Sequence, residues 1–210
     1  MLDSEPQKLV LIAPFLLFGL TAHEYAHAYT AYRLGDDTAA KAGRLSFNPL
    51  RHLDLIGALV LFLTNFIGWA KPVPINPRNF SDPKRDMSLV ALAGPATNFF
   101  IAVMLALGFR FKIFEAILAQ TPVAVSEPVS GMLFYGFLIN LGLSIFNCIP
   151  VPPLDGYNVL SFFLPERLLW TIHRYHTFCF LGLIVLMATG VLGQILEPIY
   201  IFFATFLLGD

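Results

Sequence analysis

Residues 9–33 read LVLIAPFLLFGLTAHEYAHAYTAYR, an apolar run of helical length that contains an H-E-x-x-H pattern. About 20 apolar residues are enough to cross a bilayer as a helix, so the run predicts a membrane-spanning segment. On a helix, His23 and His27 are four residues apart and share one face, where both imidazoles could hold one metal ion. Glu24 lies beside them and could take a proton from a water bound there. His23 lies roughly 15 Å into the membrane when counted from Arg33 at 1.5 Å per residue.

A structural alternative is that two buried histidines and a glutamate satisfy one another inside a helix bundle. Ionisable side chains within a membrane segment are costly, however, and tend to mark function. The neighbouring residues Ala22, Ala26, Ala28 and Ala31 are small enough to let other helices approach closely. Both facts favour a functional metal site.

The composition is that of an integral membrane protein. The 210 residues are 57% hydrophobic and 13% charged, with a mean hydropathy of +0.70, whereas soluble domains carry about 25% charged residues. The net charge of −1 argues against a nucleic-acid partner. Cys148 and Cys179 lie in apolar surroundings and are interpreted as small hydrophobes rather than as a disulfide. We expect one membrane-embedded domain over residues 1–210, without a cleavable signal peptide.

The predicted fold is an all-α polytopic membrane protein with about four to six membrane segments. The apolar stretches are residues 8–34, 55–69, 87–109, 131–149 and 177–208. The second is too short for a straight crossing, which predicts a re-entrant segment. Gly190, Gly193 and Pro198 divide the last stretch into a span followed by a shorter helix. Residues 110–130 are interpreted as a polar loop.

Basic residues indicate an orientation. If 55–69 re-enters, loops 33–54, 70–86 and 155–176 share one side with ten Lys and Arg, against three on the other side. By the positive-inside rule, the metal site is then accessible from the cytoplasm.

The stretch WAKPVPINPRNF, residues 69–80, predicts an extended segment. Pro72 and Pro74 are two apart, so their missing N–H groups lie on one side, and Val73 and Ile75 keep donors on the other. Either this is an edge strand, part of a short β-hairpin, that pairs with a peptide substrate, or it is a polyproline-like loop. The pattern leaves both interpretations open.

A catalytic zinc site takes three protein ligands and keeps one position for water, so the two histidines need a partner. Asp155 follows three prolines within residues 150–153, which exclude regular helix there. We interpret Asp155 as projecting from irregular backbone that lines a cavity; turn formation before Gly156 is the alternative. Other candidate ligands are His52, His173, His176 and Glu24.

Three motifs stand in order along the chain: HEYAH at 23–27, LAGPATN at 92–98 and NCIPVPPLDG at 147–156. Together they resemble the site-2 protease family of intramembrane zinc metalloproteases. Their spacing is similar to that of the compact prokaryotic branch, which lacks PDZ and CBS domains. The likeness extends over nearly the whole chain from residue 9 to about residue 160, and the three motifs together are highly specific.

This resemblance implies that His23, His27 and Asp155 bind one Zn2+ per chain and that Glu24 is the general base. The implied activity is hydrolysis of peptide bonds within or near transmembrane segments of membrane-protein substrates, in a prokaryotic cell membrane. The implied partners are those substrates and the lipid bilayer, and homo-oligomerisation is left open.

The resemblance also assigns roles to polar residues around the metal. Asn98 and Asn147 would line the site and help to hold the substrate or a developing oxyanion. From the residues alone, Asn98 could equally be polar glue between helices. The segment with Val73 and Ile75 would receive the unwound substrate.

Two other functions compete with a protease. A catalytically silent membrane protein could bind metal or clients without cutting, although it would not need a carboxylate beside the ligands. A transporter with a metal or proton site at mid-depth would show paired broken helices in two repeated halves, which the sequence does not show.

Overall fold

About three quarters of the chain is helical in the computed structural model, which describes residues 5–64 and 68–209, without the side chains of residues 5–10, 58 and 61–64. The helices are α1 (Glu5–Arg33), α2 (Thr38–Lys41), α3 (Leu55–Thr64), α4 (Pro83–Arg110), α5 (Ile113–Leu118), α6 (Val123–Asn147), α7 (Asp155–Ser161), α8 (Glu166–Arg174), α9 (His176–Ala188) and α10 (Val191–Leu208). The fold is therefore all-α and polytopic, as the sequence predicted.

The three long helices α1, α4 and α6 pack against one another and form the centre of the molecule. Glycines let them approach closely. A Cβ atom on Gly19 of α1 would lie 2.7 Å from Oδ1 of Asn140 on α6, and one on Gly136 would lie 2.5 Å from the ring of Phe15. Such contacts replace the hydrophobic effect as the packing force within a membrane.

Three helices are long and apolar enough to span a membrane in the described part of the chain: α4, α6 and α10. A fourth span results if α8 and α9, which meet at a bend of 65°, form one broken span. Within the described residues, α1 is not among the helices that meet this criterion. The spanning role of α1 stays a prediction that its 29 residues are long enough to fulfil.

Two sequence predictions about helix boundaries were wrong. Residues 110–130 contain α5 and the start of α6 instead of a loop, with Pro122 directly before α6 and Pro128 in its second turn. The last apolar stretch does break at Gly190, where φ is +74°, but the helix of 13 residues precedes the helix of 18. A left-handed backbone is accessible to glycine, which is why the break falls there.

Residues 52–71 leave the helix bundle and return to the same place. Leu53 and Ala70 form an antiparallel bridge, and the N–H of Lys71 donates to the carbonyl of His52 over 2.8 Å. The excursion between them contains α3, and residues 65–67 lie outside the described part. The two ends therefore meet, which agrees with a re-entrant segment.

The described part of the chain contains this bridge but no strand ladder. Residues 71–76 belong to no helix or strand, and Asn76 at their end has an extended backbone. The β-hairpin remains a prediction.

Candidate metal centre

The site begins on α1, where His23 and His27 point at α4 from successive turns. Both side chains are buried, with 7% of each residue exposed. Gly94 of α4 faces them, and a Cβ atom there would lie 2.5 Å from Nε2 of His27 and 2.6 Å from Cε1 of His23. The glycine of the Leu92–Asn98 motif thus makes room for the two imidazoles.

Asp155 reaches the histidines from a distant part of the sequence. The structure corrects the prediction that it lies in irregular backbone: residues 148–154 are irregular, but Asp155 is the first residue of α7. A Cβ atom on Gly156 would lie 2.3 Å from the carbonyl oxygen of Cys148. Gly156 therefore allows α7 to begin directly against the preceding loop, and α7 packs on α4.

Three potential ligand atoms converge at this point. Nε2 of His27 lies 3.0 Å from Nε2 of His23. Oδ2 of Asp155 lies 3.1 Å from Nε2 of His23 and 3.3 Å from Nε2 of His27. A tetrahedral zinc ion with ligands at about 2.1 Å keeps them about 3.4 Å apart. The spacing therefore fits zinc.

The hydrogen bond at Nδ1 of each imidazole determines which of the two ring nitrogens carries the proton. Nδ1 of His23 is 2.6 Å from Oδ1 of Asn98, and Nδ1 of His27 is 2.7 Å from the carbonyl oxygen of Val90. Both oxygens can only accept, so both Nδ1 atoms donate. In the neutral rings, both Nε2 atoms then present lone pairs to each other and to the Asp155 carboxylate. Three lone pairs at this distance repel one another unless a cation lies between them.

The orientation of Asn98 is itself set by neighbours. Its Nδ2 donates to the carbonyl of Gly19 over 3.1 Å and to Oδ1 of Asn140 over 2.9 Å. Asn140 in turn donates to the carbonyl of Gly136 over 2.8 Å. Both asparagines are fully buried. The network leaves Oδ1 of Asn98 as the acceptor for His23, an arrangement typical of residues that orient a metal ligand.

These contacts indicate a different role for Asn98 from the one that the family resemblance implies. Both of its amide hydrogens are already donated, so the contacts favour support of His23 over donation to an oxyanion. Asn147 is the last residue of α6, and its amide donates to the carbonyl of Leu143 over 3.0 Å. The substrate and oxyanion roles of both residues stay predictions.

Glu24 is half-buried beside the triad and contacts the extended segment. Its Oε2 accepts a hydrogen bond from the backbone N–H of Val73 over 3.0 Å. Val73 is buried against Ala28 and Ala39, and Ile75 packs at the edge of the same cluster. The segment predicted to receive substrate therefore contacts the Glu24 carboxylate, and the N–H of Val73 is already hydrogen-bonded to it.

Among the described residues, the one group of potential ligands with this convergence is His23, His27 and Asp155. His52 is buried elsewhere, with Nε2 at 2.7 Å from the carbonyl of Ser46. His173 and His176 do not join the cluster. Asn140 and the Val90 carbonyl were missed by sequence reasoning; a buried asparagine in a span was the signal for the first, and nothing in the sequence indicated the second.

This fold and site define a class: a polytopic α-helical membrane protein with a His-His-Asp group that could hold a metal ion and an adjacent glutamate. Curated relatives agree with it. "Putative zinc metalloprotease YwhC" of Bacillus subtilis is 36% identical over 184 residues, which cover 87% of this chain and 82% of the relative. "Putative zinc metalloprotease Rip2" of Mycolicibacterium smegmatis is 31% identical over 199 residues, or 92% and 73%. The chain belongs to the site-2 protease family of zinc metalloproteases.

No family model and no solved structure matches the chain. The names of the relatives support a metalloprotease function and zinc as the metal. The donor set, the lone pairs and the spacing of the triad fit that metal.

Proposed function

We propose that this protein is an intramembrane zinc endopeptidase that hydrolyses peptide bonds within or near transmembrane segments of other membrane proteins. The observation that carries the proposal is the convergence of three lone-pair atoms, from His23, His27 and Asp155, beside the Glu24 carboxylate in a bundle of apolar helices. A site of this kind within a membrane bundle suits substrates that lie in the same membrane.

The residues divide the chemistry between them. His23, His27 and Asp155 would hold the zinc ion, which when bound supplies an activated water and polarises a carbonyl group. Glu24 accepts the proton of the attacking water and passes it to the leaving amine. Asn98 and Val90 keep the two imidazoles in the tautomer that binds metal.

A substrate helix hides its peptide bonds, so it must unwind before it can be cut. Residues 71–76 support this step as a non-helical segment beside Glu24. Pairing with such a segment would offset the backbone hydrogen bonds that the substrate loses. The Val73 N–H is engaged by Glu24, so pairing there would require exchange of this bond, whereas Ile75 lies two residues further along.

The orientation follows from charge. The ten Lys and Arg residues in loops 33–54, 70–86 and 155–176 support a cytoplasmic location for these loops. Asp155 is the first residue of the last of these loops. Water and substrate would therefore reach the metal from the cytoplasmic side of a prokaryotic cell membrane.

The test combines metal analysis with cleavage. Wild-type protein in proteoliposomes with a panel of single-span membrane proteins is compared with Asp155→Ala, His23→Ala and Glu24→Gln, and Glu166→Gln serves as a carboxylate control on exposed α8. We expect about one zinc per chain in the wild type, loss of zinc in the first two variants, and retained zinc without cleavage in Glu24→Gln.

Cleavage by Glu24→Gln at the wild-type rate would refute the role of Glu24. A wild-type protein that binds zinc but cuts no member of the panel, and no purified membrane proteome, would favour the catalytically silent metal-binding protein. Failure of folded wild-type protein to take up supplied zinc would refute the metal centre.

A further inference from the structure

Residues 71–76, hereafter the proline segment, are attached at three points: to α1, to the turn after α1, and to Arg44 beyond α2. The Arg44 guanidinium donates to the carbonyl of Lys71. The N–H of Val73 donates to Glu24, and the N–H of Asn76 donates to Oδ2 of Asp36 over 2.8 Å. The segment therefore lies along the helix that carries the metal ligands.

Packing follows the same direction between these points. Val73 is buried against Ala28, one turn beyond Glu24, and Ile75 also packs against the cluster that contains Ala31. Residues 24, 28 and 31 share one face of α1. Both alanines are fully buried, and their small side chains let the proline segment approach the helix.

Asp36 closes this arrangement at its far end. It is fully buried and lies just after α1. Its carboxylate accepts from the N–H and the hydroxyl of Thr38, from Nδ2 of Asn79 over 2.7 Å and from the N–H of Asn76. Four donors use the acceptor capacity of a carboxylate almost completely. All four of these donors are neutral groups.

The electrostatics agree with a charged Asp36. Burial raises the pKa of its carboxyl, but hydrogen bonds from Thr38, Asn76 and Asn79 outweigh burial and lower the pKa below its ordinary value. The next residue gives a contrast, because Asp37 is partly exposed and pairs with Lys41 over 2.7 Å within α2. Two adjacent aspartates thus have different surroundings, and only the first contacts the proline segment.

The prolines couple the two ends of the segment. Pro72 and Pro74 fix their own φ angles and restrict the residues before them to extended conformations. Among residues 72–76, Ile75 alone is neither a proline nor followed by one, so the segment has little freedom to absorb a shift at Asn76 by local bending. A displacement of Asp36 therefore shifts Asn76, and through the segment it shifts the Val73 amide, three residues before Asn76.

We infer that Asp36 is a positioning residue for the reaction: by holding Asn76 and Asn79, it keeps the Val73 amide on Glu24 and so fixes the orientation of the general base. The inference rests on the proposed function for its effect on catalysis. Its structural part, that Asp36 holds the proline segment, is independent of proteolysis.

The first experiment compares Asp36→Asn with Asp37→Asn, which makes the same chemical change one residue further along. In Asp36→Asn an NH2 group replaces one carboxylate oxygen and faces donors that it cannot accept from. We expect faster hydrogen exchange in peptides covering residues 71–79, unchanged exchange in α4, and about one zinc per chain. Asp37→Asn should match the wild type. Unchanged exchange over 71–79 in Asp36→Asn would overturn the holding role.

The second experiment tests whether the effect passes through the Val73 amide. Val73→Pro removes that N–H, and Val73→Ala keeps it while it trims the side chain. We expect kcat to fall about tenfold in Asp36→Asn and in Val73→Pro, and the double variant to resemble either single one, since residues that act as a unit are not additive. Additive losses, or an Asp36→Asn variant with wild-type kcat, would overturn the positioning of Glu24.

The two experiments distinguish failure of the inference about Asp36 from failure of the proposed function. If Val73→Pro does not fold or loses zinc, the exchange data and kcat of Asp36→Asn decide the inference alone, with zinc content and exchange in α4 as the control for general destabilisation. A wild-type chain that cleaves nothing would refute the proposed function, and with it the catalytic part of the inference, while the exchange comparison still decides whether Asp36 holds the segment.

Discussion

Asn98 lies 75 residues from His23 in sequence, yet it decides which nitrogen of that imidazole is free to bind metal. Its own orientation depends on Asn140 and the carbonyl of Gly19. A protonated Nδ1 leaves Nε2 as a lone pair, and a metal site needs that lone pair in a fixed direction. The chemistry of one residue is thus set by a chain of buried amides from three helices.

We predict that Asn98→Ala lowers zinc affinity about 10–100-fold, because His23 loses the partner that fixes its tautomer and ring orientation. The same change leaves Oδ1 of Asn140 without a donor in the core. Zinc titration against a competing chelator measures the effect.

Asn147→Ala is the matched control, because the amide of Asn147 bonds to its own helix. It should keep wild-type zinc affinity. If Asn147 contacts substrate, its replacement lowers kcat/KM alone. Equal zinc affinity in the Asn98→Ala variant and the wild type would contradict the orienting role.

At the scale of helices, α4 is built to pass close to α1. Val90, Gly94 and Asn98 lie at intervals of four residues, so they share one face of α4. Val90 accepts from His27, Asn98 accepts from His23, and Gly94 between them leaves space for both rings. One face of one helix therefore forms the support for both histidine ligands.

Gly94→Ala should disrupt this face. A methyl group would lie 2.5 Å from Nε2 of His27, which is too close for unbonded atoms, so the imidazoles or α4 must move. We expect loss of most of the bound zinc and of cleavage. Zinc per chain and the Tm of the detergent-purified protein measure both consequences.

Gly182→Ala in α9 is the control, since among the described residues no atom beyond its chain neighbours and the backbone of its own helix lies within 4 Å of the position of its Cβ. It should bind zinc like the wild type, and alanine favours helix over glycine by about 1 kcal/mol. Full zinc binding by Gly94→Ala would show that the close approach of α4 is not needed.

The sequence predicts the parts of this site that follow local rules. Spacing of four on a helix brings His23 and His27 together, and three prolines place a turn before Asp155. The contacts of Asp36, Asn140 and the Val90 carbonyl join elements that are distant in sequence. They depend on the packing of whole helices, which no local pattern specifies.

Helix boundaries outside the apolar stretches were equally hard to predict. Residues 113–118 and 123–130 carry Glu115, Ser126 and Glu127, and their polarity suggested a loop. Hydropathy, however, reports where a chain can lie in lipid, and a helix can continue past that region into water. The prediction confused the end of the apolar stretch with the end of the helix.

At the scale of the whole molecule, the bridge between Leu53 and Ala70 bears on how the chain runs through the membrane. If α3 crossed the bilayer, these two residues would lie about 30 Å apart, across the hydrocarbon core. They are bridge partners, which favours a chain that enters and leaves the excursion on one side. A full crossing would divide the basic residues almost evenly between the two sides of the membrane. A re-entrant segment keeps ten of them on one side.

Site-directed labelling tests this topology. In a background with Cys148→Ser and Cys179→Ser, single variants Arg51→Cys, Arg78→Cys and Lys112→Cys replace exposed residues before the excursion, after it and beyond α4. A membrane-impermeant thiol reagent is applied to cells and to inverted vesicles. We expect Arg51→Cys and Arg78→Cys to react in inverted vesicles and Lys112→Cys to react on whole cells, because α4 alone separates the last position from the others. Labelling of Arg51→Cys and Arg78→Cys from opposite sides would show that residues 55–69 cross the membrane, and the cytoplasmic access of the metal centre would then lose the charge argument on which it depends.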